Sequence, residues 1–368
     1  MTYRLQDLVY GVLLLALMLT ACAQAPEAPP PTPTLPPTVE PDAERPLRLF
    51  FVRTYGEEDI WSNRIRTGIL ERLGQAGYDR TFETLVFSEY ALDIGTVTDT
   101  VQLSARVDAA LEEMVGFEPD VVIVADDEGA RRVIRGYPDP IQPFVFCGLN
   151  GSAWEHGLSR PNVAGVIEMA YPLQTVRLAA TMISRDPDDV LFLSDASIAS
   201  DAATDLLTAT LLDDARSPVE ELVSRQVGTW PAWQTVVLEE ADDFDMLLLG
   251  HYSGLVDENG TSVSGQTILQ WTLEHSPTPI YGLQLNTIDG GAVGGLVVSG
   301  YEQGRAAAEL ALDIFHGASP DSLPHTQPQR NVLAINVAAA RHWDLNVPLD
   351  LLVAARIERH FPIAVGGQ

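Results

Sequence analysis

Lysine is absent from this 368-residue sequence, and all 22 of its basic residues are arginine. Without a lysine amine, the chain can form neither a Schiff base with a carbonyl substrate nor a phosphate-binding loop of the kind that depends on lysine. Acidic residues number 51, which gives a formal charge of −29 at pH 7. This charge argues against nucleic acid and against anionic membrane surfaces as partners.

Cysteine is scarce as well, with only Cys22 and Cys147 in the chain. Cys147 ends the apolar run 144–147, which favours a buried structural thiol over a nucleophile. The seven histidines are scattered without metal-ligand spacing. The segment 250–254 has its serine one place late for a nucleophile elbow, and 290–295 lacks the dinucleotide-binding spacing. We therefore predict no enzyme activity, no metal and no cofactor. The sequence leaves a carboxylate pair for glycoside hydrolysis open, but acidic residues are so common here that any such pair would be unremarkable.

Long hydrophobic runs are also missing, apart from the uncharged segment 8–19. This segment is shorter than the roughly 20 residues that span a bilayer, and it has the length of a signal-peptide core. It leads into residues 19–22 (LTAC), which resemble a bacterial lipobox. In such signals a diacylglycerol is attached to the cysteine and the chain is cut just before it. An ordinary secretory signal or an uncleaved anchor are the alternatives.

The segment that follows is rich in proline, alanine and threonine up to residue 46. This composition is typical of a semi-extended spacer rather than of a packed core. We predict a lipoprotein signal peptide over 1–21 and a spacer over 22–46, which starts at the lipidated Cys22. The body would then be held by lipid at the extracytoplasmic face of the cell membrane.

From residue 47 onward, apolar segments with strand character alternate with amphipathic segments of helical period. Strands are predicted at 47–52, 81–87, 120–125 and 143–147, with helices at 60–73, 101–114 and 128–134. After 148–151 the pattern restarts, with strands at 163–167, 190–193, 220–223, 246–249 and 278–282 and helices at 172–183, 198–212, 230–239 and 264–274. Strands that are apolar on both faces indicate parallel sheets covered by helices. The predicted fold is α/β, with two Rossmann-like lobes, a hinge and a ligand cleft between the lobes.

Polar side chains follow several of these strands, where the ligands of open α/β sheets bind. The candidate ligand-binding residues are Tyr55, Asp126, Asp127, Asn150, Glu168, Ser194, Asp195 and Tyr252. Each has a structural alternative: helix capping for Asp126, Asp127, Ser194 and Asp195, a turn for Asn150, and a solvated charge for Glu168. Asp126, Asp127 and Glu168 would suit a ligand amine, and Glu168 could also pair with Arg53. Ser194 and Asp195 precede a predicted helix, whose N-terminus could bind a carboxylate or a phosphate. The two tyrosines would stack on a ring ligand.

Four segments together carry a resemblance to a known family. They are residues 120–127 (DVVIVADD), 144–150 (FVFCGLN), 162–168 (NVAGVIE) and 294–304 (GGLVVSGYEQG) with the alanine-rich helix after it. In order and spacing the chain resembles, over about residues 47–356, the ABC-transporter substrate-binding proteins of the tryptophan/tyrosine type. It departs from the family pattern at 53–56 and at 286–289, so the family's ligand does not carry over.

This resemblance implies a type I periplasmic-binding fold, in which the chain crosses between the lobes three times. We place the crossings near 149–152, 285–295 and 320–330. The N-terminal lobe would comprise 47–148 plus about 290–320, and the C-terminal lobe 149–289 plus about 321–368.

The function that follows from the resemblance is solute binding without catalysis. The lobes would close on a small molecule, such as an amino acid or another small aromatic metabolite, and deliver it to an ABC permease. The alternative is a ligand-sensing module for a membrane signalling protein such as a histidine kinase or a cyclase. A surface enzyme that uses the cleft between the lobes is a third hypothesis.

Overall fold

The computed structural model of the chain describes residues 45–94, 99–183, 187–328 and 331–362. The predicted signal peptide, the predicted lipidation site Cys22 and the spacer up to residue 44 lie outside these ranges. Within them, every helix is too short or too polar to cross a bilayer.

The first sheet contains five parallel strands in the order β2-β1-β3-β4-β5. The strands are β1 Leu47–Arg53, β2 Leu85–Ala91, β3 Val121–Ala125, β4 Phe144–Asn150 and β5 Val163–Glu168, and the first three helices are α1 Ile60–Gln75, α2 Thr100–Phe117 and α3 Asp127–Gly136. All five residues of β3 are buried. The apolar runs read from the sequence are therefore central strands covered on both faces.

The second sheet has four parallel strands in the order β7-β6-β8-β9, and a three-stranded sheet β10-β11-β12 lies beside it. The strands are β6 Asp189–Asp195, β7 Glu221–Val227, β8 Met246–Leu249, β9 Ile280–Gly282, β10 Gly294–Val297, β11 Val332–Asn336 and β12 Arg356–Glu358. The helices are α4 Pro172–Ile183, α5 Ile198–Leu207 with a π-helical turn Thr208–Leu212, α6 Trp230–Glu239, α7 Gly265–His275, α8 Leu285–Asp289, α9 Gly300–Phe315, α10 Val337–His342 and α11 Leu349–Ala354. The predicted α/β class with two sheets is confirmed.

Strand β5 differs from the sequence prediction, which made it the first strand of the second lobe. It pairs in parallel with β4 along Phe144↔Val163 and Asn150↔Glu168, and so completes the first sheet. The pairing is close because Gly165 lies against the ring of Phe146, where a side chain on residue 165 would collide. The chain therefore first leaves this sheet after Glu168, later than the predicted crossing near 149–152.

Helix α9 returns to the first sheet although strands of the other lobe precede and follow it. It packs along α1 and against β4 and β5. The two helices meet at glycines: a Cβ on Gly68 would lie 2.0 Å from the carbonyl oxygen of Tyr301, and one on Gly304 would lie 2.0 Å from that of Ile65. We call the first sheet with α1–α3 and α9 the N-lobe, and the remaining elements from α4 onward the C-lobe.

The second crossing joins β10 to α9 at residues 298–299. The third follows Thr326, whose backbone N–H donates to Gly165 at 3.0 Å and whose carbonyl accepts from Ile167 at 2.8 Å. These contacts keep Thr326 beside β5, and the chain then continues into β11 of the C-lobe. The sequence places these two crossings near 285–295 and 320–330.

Candidate functional site

A cavity of about 320 Å³ lies between the carboxyl ends of the two parallel sheets. The N-lobe contributes Asn150 and Glu168 from the ends of β4 and β5, and the C-lobe contributes Ala203 of α5, His251 after β8 and Gln284 after β9. The crossing segments form a further wall with Met169, Ala170 and Gln327. Its volume is at the small end of the usual range for small-molecule sites.

Glu168 and Gln284 join the two lobes across this cavity. A hydrogen bond from the Gln284 side chain reaches the Glu168 carboxyl, and the Gln284 amide nitrogen lies 3.2 Å from Nδ1 of His251. Burial raises the pKa of Glu168 to about 8, Asp127 adds to the rise, and the Gln284 hydrogen bond opposes it. Glu168 therefore keeps its proton at neutral pH while the cavity holds no cation.

Asp127 fixes the shape of the loop that follows β4. Its Oδ1 accepts the backbone N–H of Asn150 at 2.9 Å, and its Oδ2 accepts the Asn150 side-chain amide at 3.0 Å. The Nε2–H of His156 donates to the carbonyl of Asn150 at 2.6 Å and lies 3.4 Å from Asp127. Asp127 is thus a positioning group for Asn150, and it does not cap its helix. Burial raises the pKa of Asp127, while the Asn150 hydrogen bonds oppose that rise.

Asp126 lies at the carboxyl end of β3 with a positive φ of 61°. Its Oδ1 accepts the indole N–H of Trp61 at 2.8 Å, and its Oδ2 is buried without a hydrogen-bond partner. Burial raises the pKa of Asp126 well above its ordinary value; the Trp61 hydrogen bond opposes this, and the Asp59 and Glu168 carboxylates add to it. A buried carboxyl oxygen without a donor either carries a proton or awaits a cationic partner.

Three other predicted residues are held inside the C-lobe. Asp195 is fully engaged: its Oδ1 accepts the hydroxyl of Ser200 at 2.8 Å, and its Oδ2 accepts the backbone N–H of Gly254 at 2.9 Å. Tyr252 packs edge-on against Trp233 in the core, and its hydroxyl lies 3.2 Å from that of Thr287. The Ser194 hydroxyl is buried without a partner beneath Gly250.

Tyr55 lines a second, wider cavity of about 700 Å³ between the lobes. The N-lobe side of this cavity carries five acidic residues and one arginine: Glu57, Glu58, Asp59, Glu89, Asp93 and Arg106. Ser253 and residues 262–265 form its C-lobe side. Burial raises the pKa of Tyr55 well above its ordinary value, and the Asp126 and Asp195 carboxylates add to the rise. We refer to this second cavity as the acidic mouth.

Of the eight predicted residues, the structure brings Asn150 and Glu168 to the cavity wall, with Asp126 and Asp127 behind them. Sequence reasoning missed His251, Gln284 and Gln327. His251 directly follows β8 and Gly250, so the strand-end rule could have identified it in place of its neighbour Tyr252. No local signal marks either glutamine. Among the described residues, no group of three or more metal-ligating side chains is present.

Replacing Asp127 with alanine should lower the free energy of unfolding by about 1 to 3 kcal/mol, because two part-buried donors of Asn150 lose their acceptor. The matched control is Glu128→Ala, one residue along the same helix. Glu128 pairs with Arg132 at a half-exposed position, and such pairs contribute at most about 1 kcal/mol. Denaturant unfolding of both variants measures the difference. An equal fall in the free energy of unfolding of the two variants would contradict the positioning role of Asp127.

Residues 251–358 match the family model described as ABC transporter substrate binding protein, which confirms the predicted resemblance over that segment. No curated protein matches the chain.

Solved structures show the same fold. A conserved domain protein from Vibrio cholerae is 17% identical with a TM-score of 0.65, and the match covers 86% of this chain and 100% of that one. An ABC domain from Streptococcus pneumoniae, solved in complex with L-Trp, is 15% identical with a TM-score of 0.66 and coverages of 85% and 100%. A ligand-free, open substrate-binding protein with adhesive properties from Clostridium difficile is 11% identical with a TM-score of 0.59 and coverages of 84% and 98%. The type I periplasmic-binding fold is confirmed.

Proposed function

We propose that this chain is an extracytoplasmic solute-binding protein that closes on a small ligand and delivers it to an ABC permease. The observation that carries the proposal is the cavity between the lobes, which is lined by the strand ends of both sheets and by the crossing segments. The family match over residues 251–358 supports the same reading. The lipid on Cys22 and the spacer that follows would hold the body at the membrane near its permease.

Closure is the mechanism that this geometry supports. A ligand in the cavity contacts Asn150 and Glu168 on one side and His251 and Gln284 on the other, so it stabilises the closed arrangement over the open one. Outside the cavity, Asp289 of the C-lobe pairs with Arg64 of α1 and with Arg356. The Arg64–Asp289 pair joins the two lobes, whereas the Arg356–Asp289 pair lies within the C-lobe.

A thermal-unfolding screen of the full-length chain against amino acids, amines, nucleosides, sugars and small peptides tests the proposal. A ligand at a hundred times its Kd should add about 2.7 kcal/mol of stability, which is readily seen as a rise in Tm. Asn150→Ala should remove most of that rise, since Asn150 lines the cavity. Tyr252→Phe should keep it, because Tyr252 lies in the C-lobe core. A folded chain that responds to no compound would overturn the proposal.

A further inference from the structure

The cavity wall is mostly aliphatic. Its apolar lining includes Ile167, Ala170, Ala202, Ala203, Leu206 and Leu283. The polar lining side chains are few: Asn150, Glu168, His251, Gln284 and Gln327. A sugar or polyol would leave several hydroxyls against hydrocarbon without partners, which is costly in a small site. The lining therefore fits a ligand with an apolar body and a single polar head.

Acidic side chains predominate around the cavity. Glu168 is 8% exposed and faces the cavity, and Asp126 and Asp127 are equally buried behind it. The Oδ2 atom of Asp126 has no hydrogen-bond partner. No arginine is among the described residues that line the cavity. A ligand carboxylate or phosphate would thus lie close to three carboxyl groups without a guanidinium to pair with it.

The acidic mouth also favours cations over anions. Five of its six charged residues are acidic, and Arg106 is paired with Asp93 at 3.5 Å. A cleft lined by one sign of charge raises the local concentration of the opposite ion and speeds its association. Cations are therefore favoured in this second cavity between the lobes as well as in the first.

We propose that the cavity binds a small amine with an apolar body, one ammonium group and no carboxylate, with the ammonium group on Glu168. This inference rests on the proposed solute-binding function and names its ligand class. The ammonium group would donate to the Glu168 carboxylate, and the aliphatic side chains of both lobes would cover the body. A ligand carboxylate is selected against, because it would lie close to the carboxyl groups of Glu168, Asp126 and Asp127 and no arginine lines the described cavity wall.

Titration calorimetry on the full-length chain in non-ionic detergent tests the proposal with two matched sets of probes. The sets are isoamylamine, leucine and isoamyl alcohol, and phenylethylamine, phenylalanine and 2-phenylethanol. Within a set, each amine should bind roughly ten- to a hundredfold more tightly than its amino acid and its alcohol, as expected for a charge-assisted hydrogen bond. Glu168→Gln should remove that advantage, and Glu155→Gln, an exposed glutamate in the loop after β4, should keep it.

A second readout does not depend on the variant. The buried Glu168, which is surrounded by Asp126, Asp127, Cys147 and His251, should give up its proton when an ammonium group arrives. Amine binding at pH 6.5 should therefore release about one proton, measured from the heats in two buffers of different ionisation enthalpy.

The possible outcomes separate the two proposals. Tighter binding of leucine or phenylalanine than of the amines, or amine binding that releases no proton and survives Glu168→Gln, overturns the amine assignment. Binding of a sugar or nucleoside but of no amine also overturns it, and leaves the solute-binding function standing. Failure of every class of compound to bind the folded chain overturns the solute-binding function itself.

Discussion

Replacing Gly304 with alanine is expected to lower the free energy of unfolding by about 3 kcal/mol, even though alanine favours a helix by about 1 kcal/mol over glycine. The new Cβ would lie 2.0 Å from the carbonyl oxygen of Ile65. That oxygen belongs to helical backbone and cannot turn aside, so α1 and α9 must move apart. Their separation would loosen the buried cluster that includes Ile65, Ile69, Ala307 and Ala311.

The matched control for this prediction is Gly74→Ala on α1. A Cβ on Gly74 would meet nothing within 4 Å, so only the helix preference remains and the variant should gain up to about 1 kcal/mol. Denaturant unfolding followed by circular dichroism compares the two variants with the wild-type chain. Stabilisation by both substitutions would mean that the helices are not in close contact at Gly304.

Replacing Glu168 with glutamine is expected to stabilise the chain increasingly as the pH rises from about 5 to about 8. The pKa of Glu168 is about 8 in the folded chain, against an ordinary value of 4.5. Below pH 4.5 the carboxyl is protonated in both states, and its burial costs nothing extra. Between the two values the unfolded state loses the proton first, so the free energy of unfolding falls by about 1.4 kcal/mol per pH unit. Glutamine cannot ionise, and so removes this loss.

Denaturant unfolding of wild type and Glu168→Gln at pH 5, 6, 7 and 8 gives the difference in their free energies of unfolding, and its change with pH tests the prediction. The control is Glu155→Gln, because hydrogen bonds from Ser152 lower the pKa of that exposed glutamate. A carboxyl group whose pKa is lowered by folding contributes its full stabilisation at every pH above its ordinary pKa. The difference in free energy of unfolding between wild type and Glu155→Gln should therefore stay constant over this range. A Glu168 difference that is equally flat would show that its carboxyl is ionised in the folded chain.

Much of the fold follows from the sequence, because buried parallel strands are apolar on both faces and the helices between them are amphipathic. β3 and β8 were predicted nearly to the residue for this reason. β2 begins later than predicted, at Leu85, since Asp79 and Thr84 hold the preceding residues in a turn. The partner of β5 was predicted wrongly, because its apolar pattern does not specify which sheet it joins.

The candidate site was partly predictable for a similar reason. The strand-end rule led to Asn150 and Glu168, which line the cavity. It also led to Tyr252, which lies one residue beyond the strand-end position that His251 occupies and turns into the core. Gln284 and Gln327 belong to the crossing region, and their approach depends on how the two lobes are placed. No local sequence pattern records that placement.

The return of α9 to the N-lobe has a consequence for the order in which the chain assembles during synthesis. The surface of α1 around Ile65 and Ile69 is covered by α9, which the ribosome makes only after the four-stranded sheet of the C-lobe. Until then the N-lobe sheet exposes an apolar face and cannot complete its packing, and long-range contacts of this kind form slowly. A nascent chain that stops before residue 300 would therefore be a good substrate for chaperones, and neither lobe is a unit that can be expressed by a single cut in the gene.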